Sequence, residues 1–302
     1  MASLAYTPMA YRHVVFPDAP EGNGYAVNFT PDSHMHGREA PEQEELTSDE
    51  HACIRWLFER AGLRLGDYRF ETLKRRIPSC LRALRVDSIN QICQTVDRQP
   101  DLLKPAISTL VIGVTSFFRD PQVFSALART GLSEVLSRSS RPRIWSVGCS
   151  DGAELYSIAM LLAERGAVQR SVMLGTDCRT DAILRARAGC YDATALKAVP
   201  GEFVRRYFKA ENGQWQMHPF LRAMAQWRQG DAIYTSEPGS WDLILCRNMA
   251  IYLQPTAAGQ LWARLGEALR PGGILVTGKA ERPYGAAKLR PVAPCIYQRD
   301  RS

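Results

Sequence analysis

Residues able to hold a nucleoside and a carboxylate stand out before any secondary structure is assigned. The turn Gly148-Cys149-Ser150-Asp151-Gly152 follows the apolar run Ile144-Trp145-Ser146-Val147. A helical pattern then starts near Glu154, with Leu155, Ile158, Ala159, Leu161 and Leu162 at helical spacing. Strand, glycine turn and helix N-terminus together let the backbone approach a ligand and offer it free N–H groups. About 25 residues further on, a second apolar run ends in Asp177, where an acid can hydrogen-bond ribose hydroxyls. Asp231, in the turn Gly230-Asp231-Ala232, can meet an adenine amino group. Arg119 follows Phe117-Phe118, and its guanidinium can clamp a carboxylate in two places. The plainer alternative for Arg119 is a surface ion pair with Asp120.

The glycines do not spell G-x-G-x-x-G, the set a pyrophosphate site usually requires. A ligand with ribose but no phosphate fits better, and S-adenosylmethionine is the obvious one. A glycine turn in an α/β protein without cofactor is the competing reading.

These residues need elements to carry them. Trp241-Asp242-Leu243-Ile244-Leu245-Cys246 reads as a buried parallel strand that delivers Arg247 and Asn248 at its carboxyl end, where open α/β sheets bind ligands. A helix from about 256 to 269, the turn Arg270-Pro271-Gly272-Gly273, a strand over 274–278 and a last strand over 294–299 complete the pattern. Alternating strands and helices predict a parallel sheet with helices on both faces. Asn212-Gly213 is a hairpin signal between Tyr207-Phe208 and Trp215-Gln216-Met217, so an antiparallel excursion is expected at about 205–228.

Upstream, residues 45–112 show helical periodicity and almost no strand signal. Helices are expected from Thr47 or Ser48 to near Gly62, over 68–84, over 89–96 and over 101–111. Pro78 starts a helix or marks a kink. Lys74, Arg75, Arg76, Arg82 and Arg85 place five cations in twelve residues with no acid among them. That run is either a solvated face or a docking surface for an acidic partner. Phe117-Phe118 predicts a loop or helix end with one ring packed. Residues 1–44 read as a mostly disordered extension, in which Tyr6, Tyr11, Val14, Val15 and Phe16 can dock as a short segment.

At 302 residues, 45% hydrophobic and 23% charged, the composition is that of a soluble globular protein, and the net charge of +7 has no basic tail behind it. No basic patch is interleaved with aromatics as nucleic-acid binding would need. No apolar run is long enough to span a membrane, and no secretory segment opens the chain. The eight cysteines form no C-x-x-C and read as buried thiols in a reducing cytosol; the five histidines, including His34 and His36, show no metal spacing.

Taken together, Thr115-Ser116-Phe117-Phe118-Arg119, Glu154-Leu155-Tyr156-Ser157-Ile158-Ala159, Gly175-Thr176-Asp177, Cys246-Arg247-Asn248-Met249-Ala250-Ile251-Tyr252 and Leu269-Arg270-Pro271-Gly272-Gly273 resemble the CheR-type chemotaxis receptor methyltransferases over roughly residues 46–300. The resemblance implies an α/β, Rossmann-like S-adenosylmethionine-dependent methyltransferase domain over 113–302. An all-helical domain precedes it, and a small antiparallel β-subdomain is inserted in it. It implies methyl transfer to glutamates of a chemoreceptor's cytoplasmic helical bundle by a cytoplasmic monomer. Thr115, Arg119, Gly148, Glu154, Asp177, Asp231, Ala232 and Asn248 would line the cofactor. Arg119 and Tyr252 would stand at the methyl acceptor, and Arg76 and Arg82 would face the receptor. The hairpin is short, which in this family implies no use of a receptor's C-terminal peptide as tether.

A glutamate side chain, with a pKa of about 4.3, is already ionised at neutral pH, so alignment matters more than a general base. The chain departs from the family pattern at Gly113, usually Asn or another polar residue. It departs again at Ala153 and Leu155, usually Glu and Pro, and at Lys279-Ala280, usually His-Ser. These departures motivate a second reading, a cofactor-binding regulator or scaffold with little or no turnover.

Overall fold

The computed structural model describes residues 46–301, apart from 112, 114, 236 and 287. The expected N-terminal extension, with its docking segment, His34 and His36, lies outside the described residues.

The first helix, α1 (Ser48–Arg60), begins in a capping box. The Thr47 hydroxyl accepts from the Glu50 N–H, and the Glu50 carboxylate accepts from the Thr47 N–H. The stretch expected as one helix over 68–84 breaks into α2 (Phe70–Lys74) and α3 (Ile77–Leu84). Pro78 lies in the first turn of α3, where a missing N–H forfeits no helical bond. Then come α4 (Ile89–Arg98), capped by Ser88, and α5 (Leu103–Leu110). Packing of α1 on α4 brings Cys53 and Cys93 to a Cα separation of 5.9 Å, and the two form a disulfide. This corrects the reading of all eight cysteines as thiols. Sequence spacing says nothing of a pair that helix packing creates.

Next come α6 (Pro121–Ala126), α7 (Leu132–Arg138), β1 (Arg143–Val147), α8 (Ala153–Ala163), β2 (Val172–Asp177) and α9 (Thr180–Ala188). They are followed by β3 (Cys190–Tyr191), α10 (Gly201–Tyr207), β4 (Phe208–Glu211), β5 (Gln214–Met217), α11 (Pro219–Met224) and β6 (Ala225–Gln229). The chain ends with β7 (Trp241–Cys246), α12 (Pro255–Ala268), β8 (Leu269–Thr277), β9 (Leu289–Ala293) and β10 (Ile296–Arg299).

The main sheet has the order β6-β2-β1-β7-β8-β10-β9. Its first five strands are parallel, as expected, but β10 and β9 close the far edge antiparallel. A second sheet, β3-β5-β4, contains the Asn212-Gly213 hairpin. The excursion is narrower than 205–228, because residues 225–229 leave it to pair with β2 in the main sheet.

Every residue of α8 is buried, since the sheet covers one side and the second sheet's core covers the other. Gly152, with φ at +86°, serves this packing. A Cβ there would lie 2.5 Å from the Trp227 ring. Phe117 and Phe118 both lie fully buried, not one alone. Phe118 adopts φ +49°, which turns the chain so that Phe117 meets Tyr191 and Phe208 while Phe118 meets Phe124. A left-handed backbone at Phe costs about 1–2 kcal/mol, which two buried rings offset.

The helical region covers the carboxyl end of the sheet and shares a core with its other face, Phe58 clustering with Trp145 and Trp262. Backbone bonds weld the two. Arg69 N–H donates to Tyr252 O at 2.8 Å, and Gln254 N–H donates to Asp67 O at 2.7 Å.

Candidate functional site

One cleft of about 940 Å³, measured out to its mouth, opens between the helical region and the carboxyl ends of β1, β2 and β7. Thr115, Arg119, Gly148, Glu154 and Asp177 line it. So do Asp231, Ala232, Asn248 and Tyr252. The structure therefore gathers every residue that the sequence named for cofactor or acceptor. The helical region adds Tyr68, Thr72, Leu73 and Leu110 to the wall.

The loop after β7 is held by a single buried acid. Glu281 accepts from the N–H groups of Asn248 (2.7 Å), Met249 (2.9 Å) and Ala250 (2.8 Å), and more weakly from Ile251; it also accepts from Gly278 (2.7 Å). Asn248 sits at φ +57°, a conformation this anchoring sustains. The loop then delivers Tyr252 to the cleft in a 3₁₀ turn.

Beside it, Arg247 joins three segments. Its guanidinium donates to Asp120 Oδ2 and the Arg119 carbonyl, both at 2.8 Å, and to Glu154 Oε2 at 3.4 Å. Ser146 Oγ donates to the other Glu154 oxygen at 2.8 Å. Burial pushes the Glu154 carboxyl above its ordinary pKa, and the Arg247 charge opposes that shift. Lys279, one of the departures, pairs with Asp120 at 3.1 Å and so joins this network. Asp120, offered as Arg119's ion-pair partner, is thus held by Arg247 and Lys279.

Two buried acceptors in the cleft lack donors, Asn248 Oδ1 and Asp231 Oδ2. The other Asp231 oxygen accepts from Ile233 N–H, and burial raises this carboxyl's pKa. A buried orphan acceptor costs about 1–3 kcal/mol, so both call for donors from a ligand.

Of the two docking candidates, Arg76 is half-buried in a neighbouring cleft with Gly113, Arg179, Asp181 and Arg185. Arg82 is exposed on α3 and donates to Ser79 Oγ.

Three residues of this region have no role in the sequence reading: Glu281, Arg247 and Arg179. Arg247 lies inside the Cys246–Tyr252 motif, but nothing in one sequence shows that the Glu281 carboxylate will collect five amides.

The model of the CheR methyltransferase SAM-binding domain matches residues 113–293, and the model of the CheR all-alpha domain matches residues 50–111. The chain belongs to the CheR methyltransferase family. A chemotaxis protein methyltransferase of Listeria monocytogenes is 30% identical over 76% of this chain and 89% of its own length. Chemotaxis protein methyltransferase 2 of Pseudomonas aeruginosa is 30% identical over 80% of this chain and 89% of its own. The chemotaxis protein methyltransferase of Salmonella typhimurium is 28% identical over 74% and 80%.

The cofactor is S-adenosylmethionine, and the chain is a methyltransferase that depends on it. The site fits that group on its own chemistry. The cofactor's ammonium and adenine amino groups are donors, and the cleft of this CheR chain presents buried acceptors that lack them. Among the described residues, no helix is long and apolar enough to cross a membrane.

Proposed function

We propose that the chain methylates glutamate side chains in the cytoplasmic helical bundle of a chemoreceptor, giving the glutamate methyl ester and S-adenosylhomocysteine. One observation carries the reading. Arg119 and Tyr252, delivered by two separate loops, line the same cleft as Glu154 and the unpartnered buried acceptors Asn248 Oδ1 and Asp231 Oδ2. A carboxylate gripped by that arginine would lie beside the cofactor.

Bound S-adenosylmethionine supplies an electrophilic methyl group on a sulfonium. Asn248 and Glu154 would hold its amino-acid end, Asp231 and Ala232 its adenine, and Asp177 its ribose. Thr115 and Gly148 would shape the wall between them. Arg119 would hold the acceptor carboxylate by two N–H donors, with the Tyr252 hydroxyl sharing that task. The acceptor arrives ionised, so neither residue needs to take a proton. Their task is alignment, which can lower a barrier by about 7–11 kcal/mol. The rim of the helical region fits the acidic partner, with Arg82 exposed and Arg76 at the neighbouring cleft. The two-residue hairpin turn between β4 and β5 supports docking without a peptide tether.

Transfer of a tritiated methyl group from the cofactor to a purified receptor cytoplasmic fragment tests the proposal. The expected product releases its label as methanol in mild base and is lost when the acceptor glutamates are changed to alanine. Label that stays on the receptor in base, or that never reaches it, contradicts the proposal.

A further inference from the structure

Asp177 is enclosed by its own loop. Its Oδ1 accepts from the Arg179 backbone N–H at 2.9 Å and from Arg179 Nε at 3.0 Å. Its Oδ2 accepts from Ser150 N–H at 2.9 Å and from Arg179 Nη2 at 3.2 Å. A carboxylate offers about four acceptor positions, and all four face donors of this chain. The two side chains are only 4% and 6% exposed. A ribose diol arriving here meets no open edge of the acid.

The arginine reaches this place because residue 113 is glycine. A Cβ at 113 would lie 1.7 Å from Arg179 Nη2 and 2.3 Å from its Cζ. No positive φ requires glycine there, so the demand comes from the guanidinium. Ser150 Oγ donates to the Gly113 carbonyl at 2.6 Å and fixes that segment against the glycine turn. Gly113 and Arg179 also form the partition between the main cleft and its neighbour, where Asp181 lies.

We propose that Arg179 is a latch on the nucleoside end of the cleft, occupying the acceptor edge of Asp177 until a ribose diol displaces it toward the outer cleft and Asp181. The proposal rests on this cleft being the S-adenosylmethionine site. In the exchange, two guanidinium N–H donors leave the carboxylate and two hydroxyl O–H donors replace them. The guanidinium moves from a buried position to one beside Asp181, a carboxylate it then shares with Ser108 Oγ and Arg185. Arg179 thereby sets affinity. The apparent dissociation constant equals the intrinsic one divided by the unlatched fraction.

The test is calorimetric titration of the full chain with S-adenosylhomocysteine and with its 2′,3′-dideoxy counterpart. The variants are Arg179→Ala, Gly113→Ala and the double substitution. Each single change is expected to tighten S-adenosylhomocysteine about five- to tenfold by removing the closed fraction. The double variant gains no more than either single one, because both remove the same contact. The dideoxy compound, which cannot replace the arginine, keeps its affinity within about twofold in every variant.

Folded Arg179→Ala that binds S-adenosylhomocysteine as weakly as wild type, or more weakly, overturns the latch while leaving the cofactor site standing. Where a thermal scan shows Arg179→Ala unfolded, Gly113→Ala decides by the same criterion, since it moves the guanidinium without removing its charge. Binding by the variants and none by wild type supports a latch that is nearly always closed. No binding by any of them removes both the latch and the cofactor site.

Discussion

The two ends of the cleft are built on opposite plans. At the Arg119–Tyr252 end, two buried charges fix the walls. Glu281 gathers the amides of residues 248–251 and 278, and Arg247 ties the Arg119 loop to Glu154. At the Asp177 end, the proposed nucleoside end, one side chain, Arg179, covers the edge of one acid. The difference follows from the tasks. Methyl transfer needs reacting atoms held in line, and a misplacement of about 1 Å can cost a hundredfold in rate. Ribose binding needs only donors and acceptors matched at the end of the exchange.

Breaking the rigid end should therefore cost most. Glu281→Ala leaves five buried N–H groups without their acceptor, and a loss of at least about 3 kcal/mol in urea-unfolding stability is expected, with S-adenosylhomocysteine binding lost as well. Wild-type stability and binding would show that the loop holds itself. Arg247→Met is next. It leaves Glu154 as a buried acid without its cation and Asp120 paired with Lys279 alone, for about 3 kcal/mol of stability, and single-turnover rate should fall further than cofactor affinity. Equal falls in rate and affinity would mean that Arg247 positions the cofactor as much as the Arg119 loop.

A smaller effect sharpens the contrast by pH. Burial raises the pKa of Asp231 and Glu154, and in the proposed site both accept more strongly from the cofactor when ionised. Affinity is thus full on the alkaline side and is lost as pH falls through the raised values. The loss begins above the region near pH 4 where ordinary carboxyls protonate. Titrations at descending pH should show it. In Asp231→Asn the affinity should be lower at pH 8 and its pH dependence shallower. The smallest effect lies outside both ends. Thr47→Ala removes the α1 capping box for about 1 kcal/mol by thermal unfolding and leaves S-adenosylhomocysteine affinity unchanged.

Strands with continuous apolar runs were legible in the sequence, and so was the hairpin, because Asn212-Gly213 supplies the left-handed turn it needs. The edge strands were not. β9 carries Arg290 and Pro291 on an exposed rim, and β6 alternates in a way that suited a hairpin equally well. Residues at strand ends that line the cleft, such as Asp177 and Asn248, could be placed there from type and position. The groups that act through other groups could not. Glu281, the Gly113–Arg179 fit and the Cys53–Cys93 pair depend on which segments meet in space. The paired burial of Phe117 and Phe118 depends on one left-handed residue that nothing in the sequence announces.

The most direct test of rigid alignment at one end and binding at the other is Arg119→Ala, followed by single-turnover methyl transfer and by S-adenosylhomocysteine titration on the same preparation. The account predicts a turnover loss of at least about a hundredfold with affinity changed by less than about threefold. Parallel losses in turnover and affinity, or no loss in either, would contradict it.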